Sequence, residues 1–173
     1  EAQPEGSPPA FFWFDCFSLD QHAQSSQGSE WWRTTFMQAI GSMGHTVMML
    51  SPWDDPIPLT RAWCLWELHC TVATGAAFSV CLGPAEQAAF EATILAGDFK
   101  KILGAFACID VANAEAGNPH DKAMILGQAK SSEDGLEGLN NTAVGTLRRW
   151  LVGFVVGLGR HARAQGAEGV SHM

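Results

Sequence analysis

The chain has 173 residues, 47% of them hydrophobic and 16% charged, with a formal net charge of -8. That length fits one domain able to bury a core, and so few charges argue against disorder. With no basic run longer than Arg148-Arg149, neither a nucleic-acid nor an anionic-membrane footprint is expected, although backbone amides can still hold a nucleotide.

Glu1 to Pro9 is rich in Pro, Gly, Glu and Ser and reads as a linker, assigned to 1–10. No start methionine or targeting segment is visible, so the sequence reads as a piece of something longer. Phe11 to Leu19 is apolar on both alternating faces, the pattern of a strand covered on both sides. Asp15 interrupts it late, and Asp20-Gln-His22 follows at its carboxyl end, where open α/β sheets hold ligands. Simple loop polarity is the alternative reading of Asp20 and His22, and the favoured one for His22.

Ser29 and Glu30 open a helix in which Trp32, Phe36, Ile40 and Met43 recur at helical spacing as a core stripe, closed by Gly44. Thr46 to Leu50 is the next strand. Pro52, Pro56 and Pro58 then preclude regular structure up to Thr60, which is placed to cap a helix.

That helix carries Trp63, Trp66, Glu67 and Cys70 at i, i+3, i+4 and i+7, so one face holds a carboxylate among apolar groups. Cys64, Trp63, Cys70 and Thr71, the positions three and four away, supply no base. Three accounts stand open: Arg33 or His45 neutralises Glu67, Glu67 sits at the stripe's edge, or it is a functional carboxylate in a cleft.

Ala77 to Leu82 reads as another buried strand. Pro84 starts a helix reaching about Leu95, and Asp98 caps a further piece bearing Ile102, Leu103 and Phe106. Cys108 to Val111 is read as a short strand, Asp121 to Gln128 as helix, and Ser131 to Gly138 as loop. The last helix runs from Asn140 to about Leu158, with Val144, Leu147, Leu151, Val155 and Leu158 on one face. Its apolar end is too short for a bilayer, which takes about 20 residues. A polar tail is assigned to 159–173.

Strand, helix, strand, helix makes a right-handed parallel crossover the default. In that topology Asp15, Asp20, Ser51, Trp53, Asp54, Arg61, Trp63 and Glu67 line one crevice. The five cysteines are odd in number and lie in apolar runs, as in a reduced cytosolic protein. The phosphate-binding, dinucleotide-binding, zincin and esterase-elbow motifs are absent, and no Cys/His set has zinc spacing, so no metal is expected.

Ala62-Trp63-Cys64-Leu65-Trp66-Glu67-Leu68 resembles the Trp-Cys-x-x-Glu-Leu signature of Toll/interleukin-receptor (TIR) domains. Phe12-Trp-Phe-Asp-Cys-Phe-Ser-Leu-Asp-Gln21 is similar to the Trp-Ile-Asp strand of heterokaryon-incompatibility domains, which are regarded as TIR relatives. The whole is most similar to TIR-like modules of algal and oomycete repeat-containing proteins. The likeness is close from Phe11 to Leu82 and loose from Ile109 to Leu151.

The resemblance implies a flavodoxin-like, three-layer α/β fold over 11–158 with a mostly parallel central sheet, here lacking its first strand. It also implies a cytoplasmic setting and one of two functions. The first is a hydrolase that cleaves the nicotinamide N-glycosidic bond of NAD, with Glu67 catalytic. Asp15, Asp20, Ser51, Trp53, Arg61 and Trp63 would then bind the nucleotide, NAD being substrate and no resident cofactor being needed. The second is a non-catalytic protein–protein interaction or scaffold domain that self-associates or binds other proteins.

Overall fold

The computed structural model describes residues 12–13, 29–132 and 134–170. Among them the chain is α/β: six helices surround one pair of strands. Apart from Phe12 and Trp13, the expected first strand lies outside the described residues, as do Asp15, Asp20 and His22.

Helix α1, Ser29–Met43, ends at Gly44, whose φ of 72° is a conformation that costs a side-chain-bearing residue energy. The turn delivers the chain into β1, His45–Met49. A 3-10 turn, Ile57–Thr60, precedes α2, Ala62–Ala73. Pro58 fits inside that turn because its missing N–H falls where no intrahelical partner exists, so the proline-rich gap is less irregular than its composition predicts. The α2 N-cap is Arg61; Thr60 instead donates its hydroxyl to the Ile57 carbonyl at 2.9 Å.

Gly75, with φ 70°, turns α2 into β2, Ala77–Cys81. β1 and β2 pair in parallel with His45 opposite Ala77 and Met49 opposite Cys81, as the strand–helix–strand order requires. One face of the pair, bearing Met48, packs into the core; the other leaves Val47 and Met49 exposed.

Helix α3, Pro84–Leu95, starts on proline, and α4, Phe99–Phe106, is capped by Asp98, whose carboxylate accepts from the Lys101 amide at 3.1 Å. The strand expected over Cys108–Val111 does not form. Asp110 instead accepts from the amides of Ala112 and Asn113, a local turn that competes with extended pairing. Asn140 accepts from the Val111 amide and holds this turn against the last helix.

Helix α5, Pro119–Ser131, has Asn118 as N-cap. The final helix, α6, Gly135–Val170, is 36 residues long, about 54 Å at 1.5 Å per residue. It is longer at both ends than its apolar stripe announced: Gly135–Gly138 is helical rather than loop, and the expected tail continues the helix to Val170. Helix propensity at polar positions is a weak local preference that an established helix readily extends through.

The core lies between α2, the strands and α6. Leu59, Leu65, Leu68, Ile102, Ile125 and Leu147 are fully buried there. Phe90 forms its aromatic centre, 5.1 Å from Trp53, 5.6 Å from Trp150 and 5.3 Å from Phe154 between ring centroids.

Candidate functional site

The loop after β1 and the helix that follows carry every described residue of the expected crevice. Ser51 is exposed at the strand's end. Two residues on, the Trp53 amide donates to the Glu86 carboxylate at 2.6 Å and ties the loop to the start of α3. The Trp53 ring turns inward and is only 4% exposed. Phe90 meets it edge-on, and the Lys101 ammonium stands 4.8 Å from its centroid while pairing with Asp54 at 2.9 Å. The hydrogen bond from Lys101 holds the Asp54 carboxyl below its usual range. Trp53, expected to bind the nucleotide, is thus a core residue under a cationic lid rather than an indole open to a flat ligand.

Arg61 is exposed at the mouth of α2. Its neighbours are pinned by a short bridge: the Ala62 amide donates to the Glu115 carbonyl at 2.8 Å, and the Glu115 amide to the Thr60 carbonyl at 2.7 Å. Trp63, half-buried, donates its indole N–H to Asp121 of α5 at 3.1 Å and packs 5.7 Å from Phe36 of α1. The two helices flanking α2 therefore fix this ring from both sides.

Glu67 lies one turn further, half-buried between the buried side chains of Trp66 and Leu68. Cys70, on the same face, senses it. Burial pushes the Cys70 thiol up to about 12, and the Glu67 charge adds to the rise, because a second anion nearby disfavours the thiolate. The helix is stitched to β1 at this level. Thr71 donates to the Glu67 carbonyl at 2.7 Å, and its oxygen meets the Thr46 hydroxyl at 2.7 Å. His45, one of the bases considered for Glu67, is exposed at the start of β1 with Nε2 2.8 Å from the Ser79 hydroxyl.

Trp63 and Glu67, four apart, share one face of α2, whereas Arg61 precedes the helix as its N-cap and Ser51 lies on the loop leading to it. Asp121 joins Trp63 on this face, although nothing in its local sequence context links it to an indole 58 positions earlier. His69, on a different face, stacks on Trp66 at 5.2 Å with Nδ1 buried and without a hydrogen-bond partner among the described residues. Desolvation lowers its pKa, and the charge of Asp134 opposes that shift.

Glu67 lines neither of two surface hollows formed by the described residues. One, about 530 Å³, lies at the start of α6 against Asp134, Glu137, Asn141 and Thr142. The other, about 470 Å³, lies beside the α2–β2 turn against Arg149 and Trp150. Among the described residues no group of three His, Cys, Asp or Glu could hold a metal, Cys70, Cys81 and Cys108 are free thiols, and no helix is long and apolar enough to cross a membrane. Comparison with protein-family models, with curated proteins and with solved structures finds no match to this chain.

Proposed function

We propose that the chain is a TIR-like domain of flavodoxin-like winding whose α2 face handles NAD, with Glu67 as the catalytic carboxylate of a glycohydrolase. The observation carrying this reading is the setting of Glu67, a half-buried acid one turn after Trp63 on a mostly apolar helix whose N-cap is Arg61. The parallel pair around α2 agrees with such winding.

Breaking the bond between ribose and nicotinamide builds positive charge on the sugar. A carboxylate held in a partly desolvated setting stabilises that oxocarbenium-like state more than the neutral ribose, which is the requirement for catalysis. Nicotinamide is already cationic at its ring nitrogen and departs neutral, so no strong general acid is needed. Arg61, exposed at the helix mouth, is suited to a phosphate, and Ser51 to a hydroxyl.

The experiment is nicotinamide release from NAD by the wild type and by Glu67→Gln, which keeps the shape and removes the charge. Loss of a fixed charge at the reacting centre is expected to lower kcat by about 100-fold or more. Equal rates in the two proteins, or no release by the wild type at any concentration, would sink the reading.

A second reading, an interaction or scaffold domain without catalysis, is favoured by the burial of Trp53 in the core. It predicts that Glu67→Gln changes stability or partner binding and nothing else.

A further inference from the structure

Four of the ten basic residues of the chain, Arg148, Arg149, Arg160 and Arg163, lie on α6, and no acid occurs between Glu137 and Glu168. Outside α6, 16 acids stand against six bases. Within this stretch Thr146, Arg149, Gly153, Val156, Arg160 and Arg163 recur by threes and fours, so they form one ridge along the helix. Arg149, Gly153, Arg160 and Arg163 are exposed, as is Val156 at 46%; Val152 beside them is 63% exposed. From Arg149 to Arg163 the ridge is about 21 Å long.

The ridge begins at the hollow of about 470 Å³, which is lined by Val72, Phe78, Ser79, Thr146, Arg149 and Trp150. Arg149 belongs to both. Its guanidinium gives one N–H to the Thr146 hydroxyl at 3.0 Å, which holds it at the rim, and a guanidinium has five such donors. Beyond it Gly153 presents no side chain, and a Cβ there would meet nothing within 4 Å, so another backbone can lie close.

We infer that the hollow and the arginine ridge of α6 together form a docking groove for a short acidic peptide segment of another protein, anchored by one apolar side chain. An extended segment of about six residues spans 21 Å at 3.3 Å per residue. Its anchor enters between Val72, Phe78 and Trp150, and its carboxylates follow Arg149, Arg160 and Arg163. Carboxylates suit guanidinium forks in geometry as well as charge.

The other anionic occupants fit less well. A single line of arginines on a body of net charge -8 repels a polyanion such as nucleic acid at long range. Two exposed valines are too little apolar area to hold a helix in a lipid interface. Two whole copies, each at -8, repel each other more than either repels a peptide with three or four acids. No residue of the proposed NAD site takes part, so the inference stands apart from the glycohydrolase reading.

The test is fluorescence anisotropy of a fluorescein-labelled octapeptide with one central Leu, four Glu or Asp and three Ser, titrated with the intact chain. Saturable binding is expected, weakened by added salt. It should fall roughly tenfold or more with Arg149→Gln combined with Arg160→Gln, both exposed and checked for unchanged circular dichroism. It should also fall when Gly replaces the peptide's Leu. The inference is overturned by absence of saturable binding, by equal binding of a twin peptide with Gln and Asn for its acids, or by an unchanged double variant. Tighter binding of a poly-dT strand, or a native dimer that the double variant dissolves, overturns it too.

Discussion

The indole of Trp63 and the carboxylate of Asp121 meet at 3.1 Å across 58 positions of sequence, joining α2 to the first turn of α5. Both residues are half-buried, so each would lose a partner in a setting that water reaches only partly. Trp63→Phe and Asp121→Ala should each destabilise the domain by about 1–2 kcal/mol, and the double variant by less than their sum. Asp121→Asn keeps an acceptor oxygen and should cost less than Asp121→Ala. Urea unfolding of the wild type and the four variants measures this, and strict additivity would mean that the bond contributes nothing.

Phe90 is 1% exposed amid Trp53, Trp150 and Phe154, whereas Leu95, one turn later on the same helix, is 74% exposed. Phe90→Ala opens a cavity in the aromatic centre and should cost about 3–5 kcal/mol. Leu95→Ala should stay within about 0.5 kcal/mol of the wild type. Thermal or chemical denaturation of the pair checks the assignment of the core.

Cysteine reactivity should follow burial. Cys81 is exposed and should be alkylated by iodoacetamide at mildly alkaline pH, whereas Cys70, with its thiol pushed to about 12, should be spared until the protein unfolds. Glu67→Gln removes the neighbouring negative charge, so the Cys70 pKa should fall. Burial, the larger cause, remains, and the thiol should stay protected at neutral pH. Peptide mapping after timed alkylation reads both effects; rapid labelling of Cys70 in the wild type would contradict its placement.

The burial of His69 makes stability pH-dependent, with a definite sign. Its folded pKa lies below the ordinary imidazole value of 6.5, so the unfolded chain takes up a proton more readily. Where the unfolded state binds more protons, stability rises with pH. The contribution of His69 is complete above about 6.5 and is lost as pH falls from there through the lowered folded value. The negative charge of Asp134 resists this loss by favouring the imidazolium. His69→Leu should therefore flatten the decline in unfolding midpoint between neutral and mildly acidic pH, and Asp134→Asn should steepen it. An identical slope in wild type and His69→Leu would remove His69 from the account.

Much of the backbone was legible along the chain. Gly44, Pro84 and Asp98 mark helix ends in the sequence and act as such in the structure, because each does its work within one turn of its own position. The same holds for Phe36, Ile40 and Leu147, whose helical spacing puts them in the core. Cys108–Val111 was misread because the Asp110 side chain satisfies nearby amides in a turn, a competition that apolar patterning does not register.

The candidate site divides in the same way. That Glu67 shares a helix face with Trp63, Trp66 and Cys70 follows from spacing alone, since 3.6 residues per turn leave no other arrangement. Which of those side chains would be covered, and by what, did not follow. Trp53 went under Lys101 and against Phe90, and Trp63 was taken by Asp121, because packing and hydrogen bonding join groups far apart in sequence. Local periodicity sets the direction in which a side chain leaves its helix; only the folded chain, by removing water from one direction and leaving it in another, decides whether that side chain becomes core or remains free to meet a ligand.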